Sequence, residues 1–477
     1  MAQIDDDILF STTSEQLALM AAGEISPVEL TEGYLARIEK ENGALRGFAT
    51  VTAERAMDQA RLAERAYAGK DEHALLLGAP LGVKDIIETA GVLTTYGSVV
   101  FKDNVPSEDA ETVSRLAAAG AVFLGKTNTF EFALTTPSPL HKGSLNPWAR
   151  KRVAGGSSNG SGTSVSAALC SAALGTDTGG SVRNPASYVG IVGLKPTHGR
   201  VSIRGVGCLA WSMDTVGPMC RSVADAALLL KALAGYDPLD PDCADRPVPD
   251  YVAALETPRK GARIGVPREF FHDRMRPEVF DAWLHAQSLL EGQGAHIVPV
   301  DLPDLSNVLQ IWGTLMGGEN NVWHAPTFEK KYDDYGSAPR DIVFPLRTML
   351  ATDYVRARRA KVMLARAMAQ SMANVDVLLV PSTPTPAFTF EEAKSAVICG
   401  DQSLDIGFAT TGFTMPFNVT GQPALAVPCG LSPDGLPLSV QIVGRSFDEE
   451  TVLQVGRLLE EAAEWNVRPP EWRRVSA

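Results

Sequence analysis

The chain has 477 residues, 45% of them hydrophobic and 21% charged, an ordinary globular composition that buries a large core without disulfide staples. Its formal net charge of −13 repels phosphate backbones, so nucleic acid is excluded as an expected partner. The opening MAQIDDDILF has no basic stretch or long apolar run, and no segment approaches the ~20 apolar residues that span a bilayer. The expectation is a cytoplasmic protein away from membranes. Six cysteines (Cys170, Cys208, Cys220, Cys243, Cys399 and Cys429) form no Cys-x-x-Cys pair and stand beside no histidine at zinc spacing. They read as buried free thiols of a reducing compartment.

Residues 14–70 read as helices. Leu30, Tyr34, Leu35 and Ile38 recur at helical spacing behind Ser26, which suits a cap, and Pro27, which suits a first turn. A second helix is predicted over 53–68. From 79 to 235 short apolar strands alternate with helices: a strand in APLGVKD, a helix over 111–119 closed by Gly120, a strand over 121–124, a Gly/Ser turn over 155–162 and a helix over 163–174. This alternation predicts an α/β sheet with helices on both faces. Residues 236–260, rich in Pro and Asp, read as a connector. Strands over 262–267 and 296–300 flank an amphipathic helix, and 305–370 is mostly helical. A buried strand over 375–381 follows, then a hairpin around Pro433-Asp434-Gly435 and a tail helix over 449–461. No internal repeat interrupts this order. The chain reads as one domain over 1–477: N-terminal helices at 14–70, a core at about 79–235, a more variable excursion at about 236–370 and a return to the core at 371–477.

Two motif matches fail their structural context. Gly120-Ala-Val-Phe-Leu-Gly125-Lys126-Thr127 fits a P-loop pattern, but a helix precedes it and the would-be loop is apolar and β-prone. Gly156-Ser157-Ser158-Asn159-Gly160 fits the nucleophile elbow of α/β-hydrolases. However, Ala149-Arg-Lys-Arg-Val upstream makes a poor buried strand, and no histidine follows His324. The seven histidines (His73, His141, His198, His272, His285, His296 and His324) are scattered and read as surface or packed residues, with no metal site.

Two Gly/Ser turns remain. Gly155-Gly-Ser157-Ser158-Asn-Gly-Ser161 enters a helix, and Gly175-Thr-Asp177-Thr-Gly179-Gly180-Ser181-Val-Arg183 follows, with Ser157 and Ser181 24 residues apart. Glycines let backbone amides converge on one point, a nest suited to a developing oxyanion, and Ser181 stands where a nucleophile would. Gly82-Val-Lys84-Asp85 lies upstream, with apolar flanks Leu81, Val83, Ile86 and Ile87.

GGSSNGSGTSVSAALCSAALGTDTGGSVRNPA and GIVGLKPTHGRV resemble the signature block of the amidase signature family. LGVKDIIETAGVLTTYGS, GKTNTFEFA, LNPW, SMDTVGPM and FTMPFNVTGQPALAVPCG resemble further family segments, and the likeness thins between about 240 and 370. The resemblance implies a single mixed β-sheet flanked by helices and a Ser–cis-Ser–Lys triad. Carried over by position, Ser181 is the nucleophile, Ser157 the bridging serine on a cis peptide and Lys84 the base. The amides of Thr178, Gly179, Gly180 and Ser181 form the oxyanion hole. Asp177 and Arg183 order the turn and Ser158 supports it. Asn159 departs from the family's usual glycine, and because Asn tolerates the left-handed region the turn is expected to survive.

The chemistry coheres. A serine hydroxyl needs a base, and a lysine serves only when neutral, which requires burial. Ser157 relays the proton, and no metal or cofactor is required. The family's activities include hydrolysis of amides, anilides and carbamates, and the glutaminase step of a tRNA-dependent amidotransferase. Neither an amino-acid anchor nor a membrane anchor stands out. The candidate pocket pieces 135–140, 208–211, 312–316 and 410–413 are mostly apolar or small. They predict a small uncharged amide or anilide as substrate, with a carbamate (urethane) next. A homodimer is compatible with the family and is not visible in this sequence.

Overall fold

The computed structural model describes residues 4–69, 74–257, 259–399 and 402–473. His73 lies outside the described residues. Eleven strands form one sheet: β1 (Phe48–Val51), β2 (Pro80–Lys84), β3 (Val122–Thr127), β4 (Ala172–Thr176), β5 (Val192–Lys195), β6 (Val216–Cys220), β7 (Arg263–Pro267), β8 (His296–Val300), β9 (Val377–Pro381), β12 (Ala424–Leu431) and β13 (Pro437–Val443). The short strands β10 (Val397–Cys399) and β11 (Gln402–Leu404) pair separately. The order across the sheet is β1-β3-β2-β4-β6-β5-β12-β13-β9-β7-β8. Parallel pairs (β2 with β3 and β4, β7 with β8 and β9) join antiparallel ones (β4 with β6, β5 with β6 and β12, β12 with β13, β13 with β9), so the sheet is mixed, as expected.

The central strands are buried along their whole length, which is why they read as unbroken apolar runs rather than alternating ones. Helices cover both faces. One core gathers Leu81, Val83, Leu174, Val216, Leu379 and Val440 under the helices Val223–Leu233, Pro277–Gly292 and Glu449–Ala463, and a second gathers Tyr34, Phe48, Leu124 and Val165 under Pro27–Leu45.

Local signals place several ends. Ser26 and Glu29 form a reciprocal capping box with Pro27 in the first turn. Gly120, at φ 87, follows the helix Glu111–Ala118, and Ala121 N returns to Leu116 O, closing it. The strand after it runs through Gly125, Lys126 and Thr127, so the P-loop match is a strand. Lys126 is buried and donates to Thr94 Oγ1 at 2.8 Å and to the Ile87 carbonyl.

Two elements differ from expectation. The helix expected over 163–174 is Asn159–Ser166, and Ala172–Leu174 begin β4. Ala, Ser and Leu fit either period there, and pairing with β2 and β6 decides for a strand. Within 14–70, Phe48–Val51 is an edge strand on β3 rather than part of a helical run. The six cysteines are free and buried, and among the described residues no helix is long and apolar enough to cross a membrane.

Candidate active site

The parallel register of β2 and β4 brings their ends to one edge of the sheet. Lys84 closes β2 and Thr176 closes β4. The Gly/Ser turn before the helix Asn159–Ser166 arrives at the same edge, and the Gly156–Ser157 peptide is cis. Its position is fixed from several sides. Phe130 N and Thr129 Oγ1 both donate to the Ser157 carbonyl at 3.2 Å. Ser158 Oγ accepts from Thr176 N and donates to Thr176 O, each at 3.2 Å, and Ser158 N donates to the Ser181 carbonyl at 3.4 Å. Ser158 therefore ties the first turn to β4 and to the second turn. Asn159 is the first helical residue and has no positive φ, so its tolerance of the left-handed region is not called upon.

Lys84 is fully buried. Its Nζ lies 2.8 Å from Ser157 Oγ and 2.7 Å from Thr176 Oγ1. Burial pushes its pKa down to about 7, against the pull of the Asp177 and Asp214 carboxylates. No carboxylate lies within ion-pair distance of it among the described residues.

The second turn, Asp177 to Ser181, leaves β4 and leads into the helix Arg183–Val189. Asp177 and Arg183 form a bidentate pair (Nε to Oδ2 and Nη2 to Oδ1, both 3.0 Å) with both side chains fully buried. Burial alone would raise the Asp177 carboxyl, but the Arg183 guanidinium outweighs it and holds the pKa at about 2. Asp177 also accepts from Gly180 N at 2.8 Å and Asn418 Nδ2 at 2.8 Å, while Arg183 reaches the Thr414 carbonyl and Gln441 Oε1. The turn is thus built around a neutralised pair.

Gly180 has φ 129, and a Cβ there would meet Thr414 Oγ1 at 2.0 Å; only glycine fits. Its amide is donated to Asp177, whereas the amides of Thr178, Gly179 and Ser181 have no hydrogen-bond partner among the described residues. Trp312 Nε1 donates to the Thr178 carbonyl at 2.8 Å, and Thr414 Oγ1 to the Gly179 carbonyl at 2.7 Å. Ser181 is 8% exposed.

Lys84 and the two turns that carry Ser157 and Ser181 thus meet at one sheet edge; among the described residues no hydrogen bond joins Ser157 Oγ to Ser181 Oγ. Trp312, from the expected pocket piece 312–316, joins them there, as do Thr176, Thr414, Asn418 and Gln441, which were not singled out. Thr176 ends β4, a strand that the sequence reading took in part as helix, so it went unmarked. Thr414, Asn418 and Gln441 are remote in sequence and carry no local signal.

Of the expected pocket pieces, Trp312 lies against the second turn; Phe130, from the loop after β3 and outside those pieces, lies against Gly156. Cys208, Leu209, Ala210, Leu315, Met316 and Phe413 are buried core. A separate cavity of about 980 Å³, with Trp211, Glu319 and Tyr354 in its lining, lies between the helices Val308–Lys331 and Ala351–Ser371 and does not include Lys84, Ser157 or Ser181. The described histidines form no metal cluster: His324 is buried against Tyr335 Oη, and His198 faces the Trp211 carbonyl.

The Amidase family model matches residues 29–453. A glutamyl-tRNA(Gln) amidotransferase subunit of Roseiflexus sp. (strain RS-1) is 40% identical over 486 residues, covering 96% of this chain and 98% of that protein. A solved structure described as a vestigial protein complex that reveals the evolutionary origins of an s-triazine catabolic enzyme is similar with a TM-score of 0.90 and 31% identity, covering 96% of this chain and 100% of that one. The native peptide amidase from Stenotrophomonas maltophilia is similar with a TM-score of 0.85 and 30% identity, covering 96% of this chain and 98% of that one. With the family model spanning most of its length, the chain belongs to the amidase family and is a hydrolase acting on carbon–nitrogen bonds other than peptide bonds.

Proposed function

We propose that the protein hydrolyses a small uncharged amide or anilide through an acyl-enzyme, with Ser181 as nucleophile, Ser157 as proton relay and Lys84 as base. The observation that carries this reading is the environment of Lys84: a buried amine, 2.8 Å from Ser157 Oγ, with no carboxylate at ion-pair distance among the described residues. A neutral amine gives one N–H to Thr176 Oγ1 and keeps its lone pair for the Ser157 hydroxyl.

Lys84 Nζ takes the Ser157 proton as Ser157 Oγ takes that of Ser181, and Ser181 Oγ bonds to the acyl carbon. The oxyanion is received by the amides of Thr178, Gly179 and Ser181. Gly180 contributes the conformation of the turn, its own amide being held by Asp177. Asp177, Arg183 and Ser158 keep both turns in place. The carbon–nitrogen bond then breaks, and the relay returns its proton to the leaving amine. Water enters by the same route and releases the acid. No metal or cofactor takes part.

The substrate class rests on the groups against the turns. Phe130 faces Gly156, Trp312 faces Gly179 and Thr414 faces Gly180, which are two aromatic rings and a hydroxyl. These suit an uncharged acyl or aryl group better than the charged ends of an amino acid. A carbamate presents the same carbonyl and is the second candidate. A glutaminase role within an amidotransferase is favoured instead by the 40% identity to the Roseiflexus amidotransferase protein. The buried free thiols suit a reducing cytoplasm.

The test is a matched pair, an acyl anilide and an aryl carbamate sharing one aniline, assayed with wild type and Ser181→Ala. We expect turnover of the anilide and loss of turnover in the variant. Activity retained by Ser181→Ala overturns the assignment, and preference for the carbamate moves the substrate to urethanes. Glutaminase activity coupled to a larger assembly on gel filtration would favour the amidotransferase role; the same column separates monomer from homodimer.

A further inference from the structure

Thr178 opens the turn between Asp177 and Ser181, and it is gripped twice from outside that turn. Its carbonyl accepts from Trp312 Nε1 at 2.8 Å. A trans peptide points its C=O and the following N–H in opposite directions, so this grip aims the Gly179 amide away from Trp312. Its hydroxyl donates to Asp214 Oδ1 at 2.5 Å. Asp214 Oδ2 in turn accepts from Leu209 N at 2.9 Å and Ala210 N at 3.0 Å.

The sheet dictates this meeting. β4 and β6 are antiparallel with Thr176 opposite Val216, and just beyond, Asp177 N donates to Thr215 O and Thr215 N to Asp177 O. The next residues outward are Thr178 and Asp214. A buried carboxylate here needs a reason, since a carboxylate out of water is unfavourable unless paired. Arg183 neutralises Asp177; Asp214 has no cation within ion-pair distance among the described residues. Its partners are one hydroxyl and two amides. Its charge acts on Lys84 and Cys208, and the Glu319 carboxylate pushes its own pKa up. An apolar group would fill the space at less cost, so a carboxylate bonded to the Thr178 hydroxyl fits a task there.

We infer that Asp214 is a positioning residue for the reaction proposed above: by holding Thr178 Oγ1 it fixes the turn whose amides receive the oxyanion. This rests on that reading. Burial raises the Asp214 pKa to about 7, so its anion coexists with neutral Lys84 on the alkaline side of neutrality, where its charge raises the proton affinity of Lys84.

The test compares Asp214→Asn, Thr178→Val and Thr178→Ser on the anilide. Asp214→Asn and Thr178→Val should each lower kcat by about 10²–10³-fold, the scale of a misplaced oxyanion donor, with KM changed by less than about threefold. Thr178→Ser keeps the hydroxyl and should stay within about fivefold of wild type. The acid limb of kcat/KM should move to lower pH in Asp214→Asn, a change that mere loosening of the fold does not produce. A folded Asp214→Asn within about twofold of wild-type kcat, or Thr178→Ser as impaired as Thr178→Val, overturns the inference. Should Asp214→Asn not fold, the threonine pair decides. Ser181→Ala in the same series separates the failures: activity there removes the chemistry itself, whereas a dead Ser181→Ala beside an unaffected Asp214→Asn removes only the role of Asp214.

Discussion

Replacing Lys84 with methionine should abolish activity and stabilise the fold, by an amount that depends on pH. An unfolded chain keeps a lysine protonated up to about 10.5, whereas the folded chain releases the Lys84 proton near 7. Between those values unfolding takes up a proton, so this group's contribution to stability rises with pH across that window. At about 1.36 kcal/mol per pH unit, holding Lys84 neutral costs the wild type about 4 kcal/mol at pH 7 and about 2 kcal/mol at pH 9. Methionine has a similar length and carries no such penalty. It leaves the hydroxyls of Ser157 and Thr176 short of a partner, which costs about 1–3 kcal/mol at either pH. Lys84→Met should therefore exceed wild type in stability by about 2 kcal/mol at pH 7, and the difference should shrink by about 2 kcal/mol on going to pH 9. Denaturant titrations of both proteins at the two pH values measure it, with anilide turnover run alongside. A stability difference independent of pH would refute the argument, because it would mean that Lys84 keeps its proton in the folded protein and is no base.

In wild type, kcat/KM should fall tenfold per pH unit below about 7 as Lys84 takes up its proton. Because Asp214 titrates in the same range, the limb belongs to the coupled pair and simplifies in Asp214→Asn; a pH–rate profile of both proteins shows this. Asp177→Asn should leave Arg183 as an uncompensated buried cation and lower stability by about 3–5 kcal/mol, read from chemical unfolding at pH 7.

The three residues proposed as a triad were named from the family resemblance, and each also lies in a local signal. Ser157 and Ser181 sit in glycine-rich turns whose composition admits little else, and Lys84 ends an apolar run. Asp177 and Arg183 fall within the second turn itself. Thr414, Asn418 and Gln441 reach that turn from more than 200 residues away, and Trp312 from over 100. Gln441 comes in on β13 through its pairing with β9, Thr414 at the cap of the short helix Met415–Val419 before β12, Asn418 within that helix, and Trp312 on the helix Val308–Lys331, so no pattern near the turn marks them. The same limit applies to the fold. The hairpin around Pro433-Asp434-Gly435 and the capped helix at Ser26 were readable from turn and cap chemistry. The stretch 163–176 was not, because a strand buried on both faces loses the alternation that marks strands.

The way the site distributes charge ties these observations together. Asp177 is given a guanidinium and four further donors, the amides of Gly180, Val182 and Arg183 and Asn418 Nδ2, and its carboxyl pKa is held at about 2. Lys84 is given two hydroxyls and, among the described residues, no carboxylate at contact distance. If Asp177 and Lys84 had been paired with each other, the lysine would have stayed a cation and could not have accepted the Ser157 proton. Arg183, always charged, takes the carboxylate out of the lysine's reach while using it to shape the turn. Asp214 supplies a second, unneutralised carboxylate that acts on Lys84 without touching it. The proton affinity of the base is then set by burial and by two anions held at a distance. The residues that hold those anions, Arg183 for Asp177 and Thr178 for Asp214, belong to the turn proposed to receive the oxyanion or to the helix it enters, so Lys84 and the turn cannot be perturbed independently.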